Sequence, residues 1–263
     1  MAVTLTNSFE GVTPSGTTLT AGAGGNTGGT SGSFFDVVNI GTGVTVASDS
    51  AQKVRGSLSY KYATGATSAS GYVGWGASLT ATTIPVSYTR FYFYAGAAYP
   101  ASGNFRIMAW FNSAGTICAS LRLSNTGVLT MANSANAAIT GMSSTTVIPL
   151  NAWCRIEGYC NSGTGACEQQ LYVGANLEGS TADDLKNATA QSLLADASAQ
   201  RFGGSGNAQI NAGPWWYDDL GASDTAYLGS AAAPAGRLPQ QERIRIPAGS
   251  GWPSRRASAT YGR

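Results

Sequence analysis

The sequence predicts an all-β protein whose strands stack as a two-sheet antiparallel sandwich or close into a barrel. Three observations carry this. Apolar and polar residues alternate with a period of two, short polar turns separate the alternating runs, and helical periodicity is almost absent. With 263 residues, 43% of them hydrophobic, the chain is long enough to bury a substantial core.

Taken in order, the first strand is Val3–Phe9: the opening Met1-Ala2-Val3-Thr4-Leu5-Thr6-Asn7 alternates and lacks the basic and apolar regions of a signal peptide. The Gly-rich stretch Ala21–Ser33 contains no GK[ST] and reads as an inter-strand loop rather than a phosphate cradle. Strands are expected at Phe34–Ile40, Ser57–Ala63 and Tyr72–Trp75. In Thr89–Ala95, Phe91, Phe93 and Ala95 share one face while Arg90, Tyr92 and Tyr94 share the other. Phe105, Ile107, Ala109 and Phe111 form the next apolar row, leaving Trp110 on a face with Arg106. Ile117, Ala119, Leu121 and Leu123 repeat the pattern after the turn at Ser113-Ala114-Gly115. Further strands are expected at Val128–Ala132, Ala152–Cys160, Cys167–Val173, Ala208–Ala212 and Trp215–Leu220. The one helical candidate is Thr181–Ala190, with Asp183 and Asp184 in its first turn.

Composition narrows the function. Histidine is absent, which excludes the Ser-His-Asp triad, the Cys-His pair, HExxH zinc and imidazole acid-base catalysis. Only 11% of residues are charged, so solubility rests on Ser, Thr, Asn and backbone groups. No apolar run reaches the 18 or so residues of a membrane span. The charge divides at about residue 230. Residues 1–230 hold nine Lys or Arg against twelve Asp or Glu, a net of −3. Residues 231–263 hold Arg237, Arg243, Arg245, Arg255, Arg256 and Arg263 against Glu242, a net of +5. Pro234, Pro239, Pro247 and Pro253 bar regular structure from that segment, and it has too few apolar groups for a core. The expected organisation is a sandwich domain over 1–230 and an extended arm over 231–263. The arginines are scattered and the body is mildly acidic, so the arm reads as gripping an acidic groove of a partner protein rather than nucleic acid.

Three further groups could carry chemistry. Cys160 and Cys167 face one another across a hairpin neck, where they either form a disulfide or remain a pair of buried thiols. No CxxC pair exists among the four cysteines, which argues against zinc. Asp218, Asp219 and Asp224 cluster in Trp215–Asp224, offering structural hydrogen bonds, a calcium site or acid-base carboxylates. Adjacent strand residues point to opposite faces, so Asp218 and Asp219 are not expected to flank one glycosidic bond. Tyr92, Tyr94 and Trp110 are candidates for stacking sugar rings, against the reading that their face packs on a second sheet or a neighbouring subunit.

Several stretches together resemble a known family. They are Leu5-Thr6-Asn7-Ser8-Phe9-Glu10-Gly11, Gly56-Ser57-Leu58-Ser59-Tyr60-Lys61, Ile148–Gly158, Gly213-Pro214-Trp215-Trp216-Tyr217-Asp218-Asp219-Leu220 and Thr225-Ala226-Tyr227-Leu228-Gly229. Over roughly residues 3–230 their order is similar to concanavalin A-like (LamG-type) jelly-roll domains of minor tail and other virion proteins of actinobacterial bacteriophages. The resemblance implies two curved antiparallel sheets and a non-enzymatic structural role on the particle exterior, as a minor tail or capsid-surface decoration protein. It also implies partners among other virion proteins, a host cell-surface glycan as a further ligand, and self-association. Neither nucleic acid nor membrane is an expected partner. Calcium, bound by many such domains, is the one cofactor left open. The laminarinase-type E-x-D-x-x-E motif is missing: Gly158 and Tyr159 follow Glu157, and Gln169 and Gln170 follow Glu168. The alternatives are a stand-alone lectin-like module and, behind it, a secreted glycoside hydrolase.

Overall fold

Alternation in the sequence becomes pairing in space. A computed structural model describes residues 2–10, 14–23, 32–65, 70–76, 86–194, 196–204 and 213–231. Within them lie fifteen strands: β1 (Thr4–Asn7), β2 (Val37–Ile40), β3 (Val44–Asp49), β4 (Ser59–Thr64), β5 (Gly71–Trp75), β6 (Val86–Ala95), β7 (Asn104–Phe111), β8 (Ile117–Ser124), β9 (Val128–Ala132), β10 (Ala138–Val147), β11 (Ala152–Asn161), β12 (Ala166–Val173), β13 (Asp184–Ala188), β14 (Ala199–Gly204) and β15 (Trp215–Ser223). They form two antiparallel sheets. The first, of eight strands, runs β13-β12-β11-β6-β15-β4-β3, with β1 also paired to β15; the second runs β10-β9-β8-β7-β14-β5-β2. The expected two-sheet antiparallel sandwich is the observed architecture. The expected strand Ala208–Ala212 and the arm arginines Arg237, Arg243, Arg245, Arg255 and Arg256 lie outside the described residues.

The inner faces make one core. Phe91, Phe93, Trp215, Tyr217, Tyr60 and Tyr62 of the first sheet meet Phe105, Trp110, Leu121, Phe202 and Trp75 of the second. Rings cross between sheets edge to face, as Phe105 on Trp215 at 4.5 Å and Phe91 on Phe202 at 5.6 Å, the arrangement favoured by ring quadrupoles. Buried polar groups on these faces reach backbone of the opposite sheet: Tyr217 Oη donates to the Ile107 carbonyl and Gln169 Nε2 to that of Leu129. Such partners offset the cost of taking each group out of water.

Trp110 corrects an expectation. Strand β7 carries irregularities in its register with β8, one between Arg106 and Met108 and one between Trp110 and Phe111. Each extra residue reverses the phase of alternation. Phe105 and Ile107 therefore point inward, and so do Met108 and Trp110, all fully buried. The Trp110 ring fills the space left by Gly158 on β11, where an added methyl would lie 2.8 Å from Trp110 Cη2. Trp110 is core and is not a sugar-stacking residue.

The expected helix at 181–190 is instead β13, an edge strand paired with β12. Asp184 shows why. Its Oδ2 accepts from Thr145 N, Thr146 N and the Thr145 hydroxyl at 2.6–2.8 Å, and Lys186 Nζ stands 3.2 Å from Oδ1. Thr145 and Thr146 belong to β10, so one carboxylate ties the edges of both sheets. Burial pushes the Asp184 pKa up, but these donors outweigh it and hold the group below its ordinary value.

Candidate functional site

The outer face of the first sheet is built in rows by strand register. In one row Trp153 of β11 lies beside Tyr94 of β6, then Trp216 of β15, then Lys61 of β4. The next row holds Tyr172, Arg155, Tyr92 and Asp218, and the row beyond it Gln170, Glu157, Arg90 and Gly221. At the Trp153 end aromatic side chains collect, charged ones fill the middle, and Tyr159 and Tyr88 form the far row.

At the aromatic end, Tyr94 meets Trp153 edge to face at 5.4 Å and Trp216 at 5.5 Å. Lys61 Nζ sits 5.7 Å from the Trp216 ring centre, within range of a cation–π contact. Tyr94 and Trp153 are half-buried, so ring surface remains open to solvent. The Trp216 indole N–H has no acceptor among the described residues.

The middle rows are roofed by two segments, 177–180 and 227–231. Arg155 donates to the carbonyls of Leu177 at 3.0 Å and Gly179 at 2.6 Å, and its guanidinium lies 3.7 Å over the Tyr172 ring. Its Nε is 3.0 Å from Glu157 Oε1, both side chains 1% exposed. The N–H does not point along that line, so the contact is Coulombic rather than a hydrogen bond. Burial raises the Glu157 pKa, against the pull of Arg155, the Gly229 N–H and Arg90. Arg90 donates to the carbonyls of Asp219 and Gly229. Beneath the roof is a cleft of about 360 Å³ reached by Glu157, Gln170, Tyr172, Glu178, Ser180 and Tyr227, within the size range of small-molecule sites. Tyr227 Oη donates to Glu168, which also accepts from Gln170.

Two expected stacking residues thus part company. Tyr94 is on the open aromatic row, whereas Tyr92, on the same face, is fully buried. Arg55 lies 5.2 Å over its ring, its hydroxyl donates to Glu178 at 2.8 Å, and Ala231 N donates to that hydroxyl at 3.1 Å. Tyr92 is a strut under the roof, with no ring face free for a sugar. Half-buried Trp153 takes the place expected of Tyr92 and Trp110, and Trp216, itself buried, backs Tyr94. Trp153 was legible in the alternation of Trp153, Arg155, Glu157 and Tyr159 along β11. Its adjacency to Tyr94 depends on register, which one strand alone does not reveal.

The acidic trio separates. Asp218 Oδ2 accepts from Val54 N and Arg55 N, and its Oδ1 from Asp219 N. Asp224 Oδ1 instead accepts from Val3 N at the far end of β15. Among the described residues no group of three or more acidic or thiol side chains is placed to hold a metal ion. The opposite-face expectation for Asp218 and Asp219 also needs correction. A register shift falls between Asp218 and Gly221, and Asp219 takes a left-handed backbone with φ of 43°. That bulge sets both carboxylates near Arg55, which approaches Asp219 Oδ2 at 3.3 Å. Burial and the adjacent Asp219 hold Asp218 well above its ordinary pKa, and burial also raises Asp219.

Cys160 and Cys167 stand directly opposite across β11 and β12, as the hairpin reading requires. Both are free buried thiols rather than a disulfide. Burial raises the Cys160 pKa far above its ordinary value and that of Cys167 to about 11, which keeps both protonated and unreactive.

Solved structures share this architecture. The chain is similar to the cellulose-induced protein Cip1, at 16% identity over 73% of this chain and 91% of that one, with a TM-score of 0.51. A protein of unknown function from Shewanella oneidensis MR-1 aligns at 13% identity over 84% and 86%, with a TM-score of 0.54. An endo-β-1,4-glucuronan lyase from Trichoderma reesei aligns at 13% identity over 75% and 91%, with a TM-score of 0.49. No protein-family model matches the sequence, and no curated protein matches it. At these identities the likeness is one of fold: the chain adopts the concanavalin A-like, two-sheet antiparallel sandwich.

Proposed function

We propose that this protein is a non-enzymatic carbohydrate-binding sandwich carried on the exterior of a bacteriophage particle, as a minor tail or capsid-surface decoration protein. The observation that carries the binding half is the row Trp153–Tyr94–Trp216 beside the polar cleft. The partly open rings of Trp153 and Tyr94 accept the apolar face of a pyranose, and Gln170, Glu178, Ser180 and Tyr227 offer hydrogen bonds to its hydroxyls. The virion half is supported by the resemblance in sequence order and by the charge division at residue 230, which suits an arm that docks on a neighbouring subunit.

Binding of host cell-wall glycans to the full chain, measured by array and calorimetry, tests the first half. Trp153→Ala should weaken it by about 30-fold and leave the fold intact. Silence across those glycans, or binding unchanged in Trp153→Ala, would remove the lectin reading. Mass spectrometry of purified particles tests the second half: absence of the chain from them would overturn it.

One observation favours a second reading, cleavage of a polysaccharide in the same cleft. Glu157 is a carboxyl held above its ordinary range and faces Tyr172 and Tyr227, a setting suited to proton transfer. Product release from a panel of polysaccharides, lost in Glu157→Gln, would establish it in place of the non-enzymatic one.

A further inference from the structure

On the opposite side of the sandwich, the outer face of the second sheet carries a cation that has no counter-charge among the described residues. Arg201 of β14 is neighboured across the sheet by Gly74 of β5 and Ala109 of β7. Both are small. A methyl on Gly74 would lie 3.1 Å from Arg201 Cα and 3.2 Å from its Cγ, so the glycine makes room for the side chain to lie along the sheet. Its guanidinium is held between two rings, 4.0 Å from the centre of Phe111 and 4.8 Å from that of Tyr72.

The other described arginines all reach an oxygen. Arg55 and Arg155 pair with carboxylates, Arg90 and Arg122 donate to carbonyls, and Arg106 donates to Asn136. Arg201 alone among them makes no such contact, and its Nε is buried without an acceptor. A cleft of about 480 Å³ opens beside it, reached also by Asn39, Ser70, Tyr72, Phe111 and Thr116. No carboxylate lines this cleft among the described residues.

We propose that this cleft is a second ligand site that takes a carboxylate-bearing saccharide, a hexuronate unit, with Arg201 as the carboxylate receptor. The two rings lie against the guanidinium and accept no N–H in the plane of its donors, so those donors are left to bind. The guanidinium edge presents parallel N–H donors matched to a planar carboxylate. The rings also fix the side chain before the ligand arrives, which lowers the entropic cost of binding. Asn39, Ser70 and Thr116 supply amide and hydroxyl groups for sugar hydroxyls, while Ile117, Tyr72 and Phe111 offer apolar surface to a ring face. This site is separate from the Trp153 row and does not depend on it.

The test is calorimetry of the full chain with oligoglucuronate, neutral glucose oligomers, acetate and sulfate. Oligoglucuronate should bind saturably, with the glucose oligomers weaker by about 10- to 100-fold, the worth of charge-assisted hydrogen bonds. Arg201→Lys keeps the charge but loses the fork and should weaken oligoglucuronate by a similar factor. Arg201→Gln should abolish binding with an unchanged melting temperature, and Trp153→Ala should leave this binding intact. The proposal is overturned by no oligoglucuronate binding, by equal binding of glucose oligomers, by acetate or sulfate binding as tightly, or by insensitivity to Arg201→Lys.

Discussion

Gly158→Ala puts the interior position of Trp110 to the test. The added methyl would stand 2.8 Å from Trp110 Cη2, 3.1 Å from Thr89 Cγ2 and 3.2 Å from Leu121 Cδ1. Carbon atoms in contact settle at about 3.5–4.0 Å, so the indole must retreat by roughly 0.7 Å or more within a core that has no slack. Overpacking of this kind costs about 1–3 kcal/mol. Alanine offsets about 0.4–1 kcal/mol of that by restricting the unfolded chain. The net loss is about 1–2 kcal/mol, or a fall in Tm of about 2–8 °C for a domain of this size. Urea and thermal unfolding would read it. Adding Trp110→Phe should recover part of the loss, with a coupling of at least about 0.5 kcal/mol between the two sites. A neutral or stabilising Gly158→Ala would refute the packing argument. So would a Trp110→Ala variant that keeps its Tm yet loses sugar binding.

Trp153→Ala should weaken glycan binding by about 30-fold, the ~2 kcal/mol expected of an aromatic anchor, while the Tm stays near that of the parent; a large Tm loss would make Trp153 structural. Asp218 binds its proton in the folded chain at pH values where the unfolded chain, with a pKa of about 3.9, has released it. Stability should therefore fall as pH rises from about 4 through the folded value, and Asp218→Asn should flatten that part of the Tm–pH curve; an unchanged curve would show that Asp218 does not contribute. Ellman's reagent should leave the buried thiols Cys118, Cys154, Cys160 and Cys167 untouched in the native protein and titrate all four after denaturation; rapid native labelling would contradict their burial. Deleting residues 232–263 should leave the Tm of the sandwich unchanged and abolish incorporation into particles, and normal incorporation would remove the arm from the docking role.

The strands most legible in the sequence are those with unbroken alternation. Phe91, Phe93 and Ala95 on β6 face the core as their spacing requires. Illegibility begins where the backbone adds a residue. The extra residue Ile107 in β7 sends Trp110 inward, and the bulge in β15 sets Asp218 and Asp219 near the same arginine. Strand β10 escapes notice because its residues are largely Thr, Ser and Gly and its pairing with β9 shifts register twice. The helix expected over 181–190 yields to a tertiary contact, the hold of Asp184 on Thr145 and Thr146. The candidate site is hidden for a related reason. Trp153, Tyr94 and Trp216 come from three strands far apart in sequence, and only register makes them neighbours. Tyr92 reads correctly as to face but not as to exposure, since its cover comes from Arg55, Glu178 and Ala231.

The last described residues carry a mechanical consequence. Gly229 and Ser230 line the cleft, the Gly229 carbonyl receives Arg90, and Ala231 N is fastened to the Tyr92 hydroxyl. Ala231 is therefore held at the rim of the cleft. These few hydrogen bonds hold 229–231 against the first sheet, so releasing them would change the shape of the cleft that Gly229 and Ser230 line.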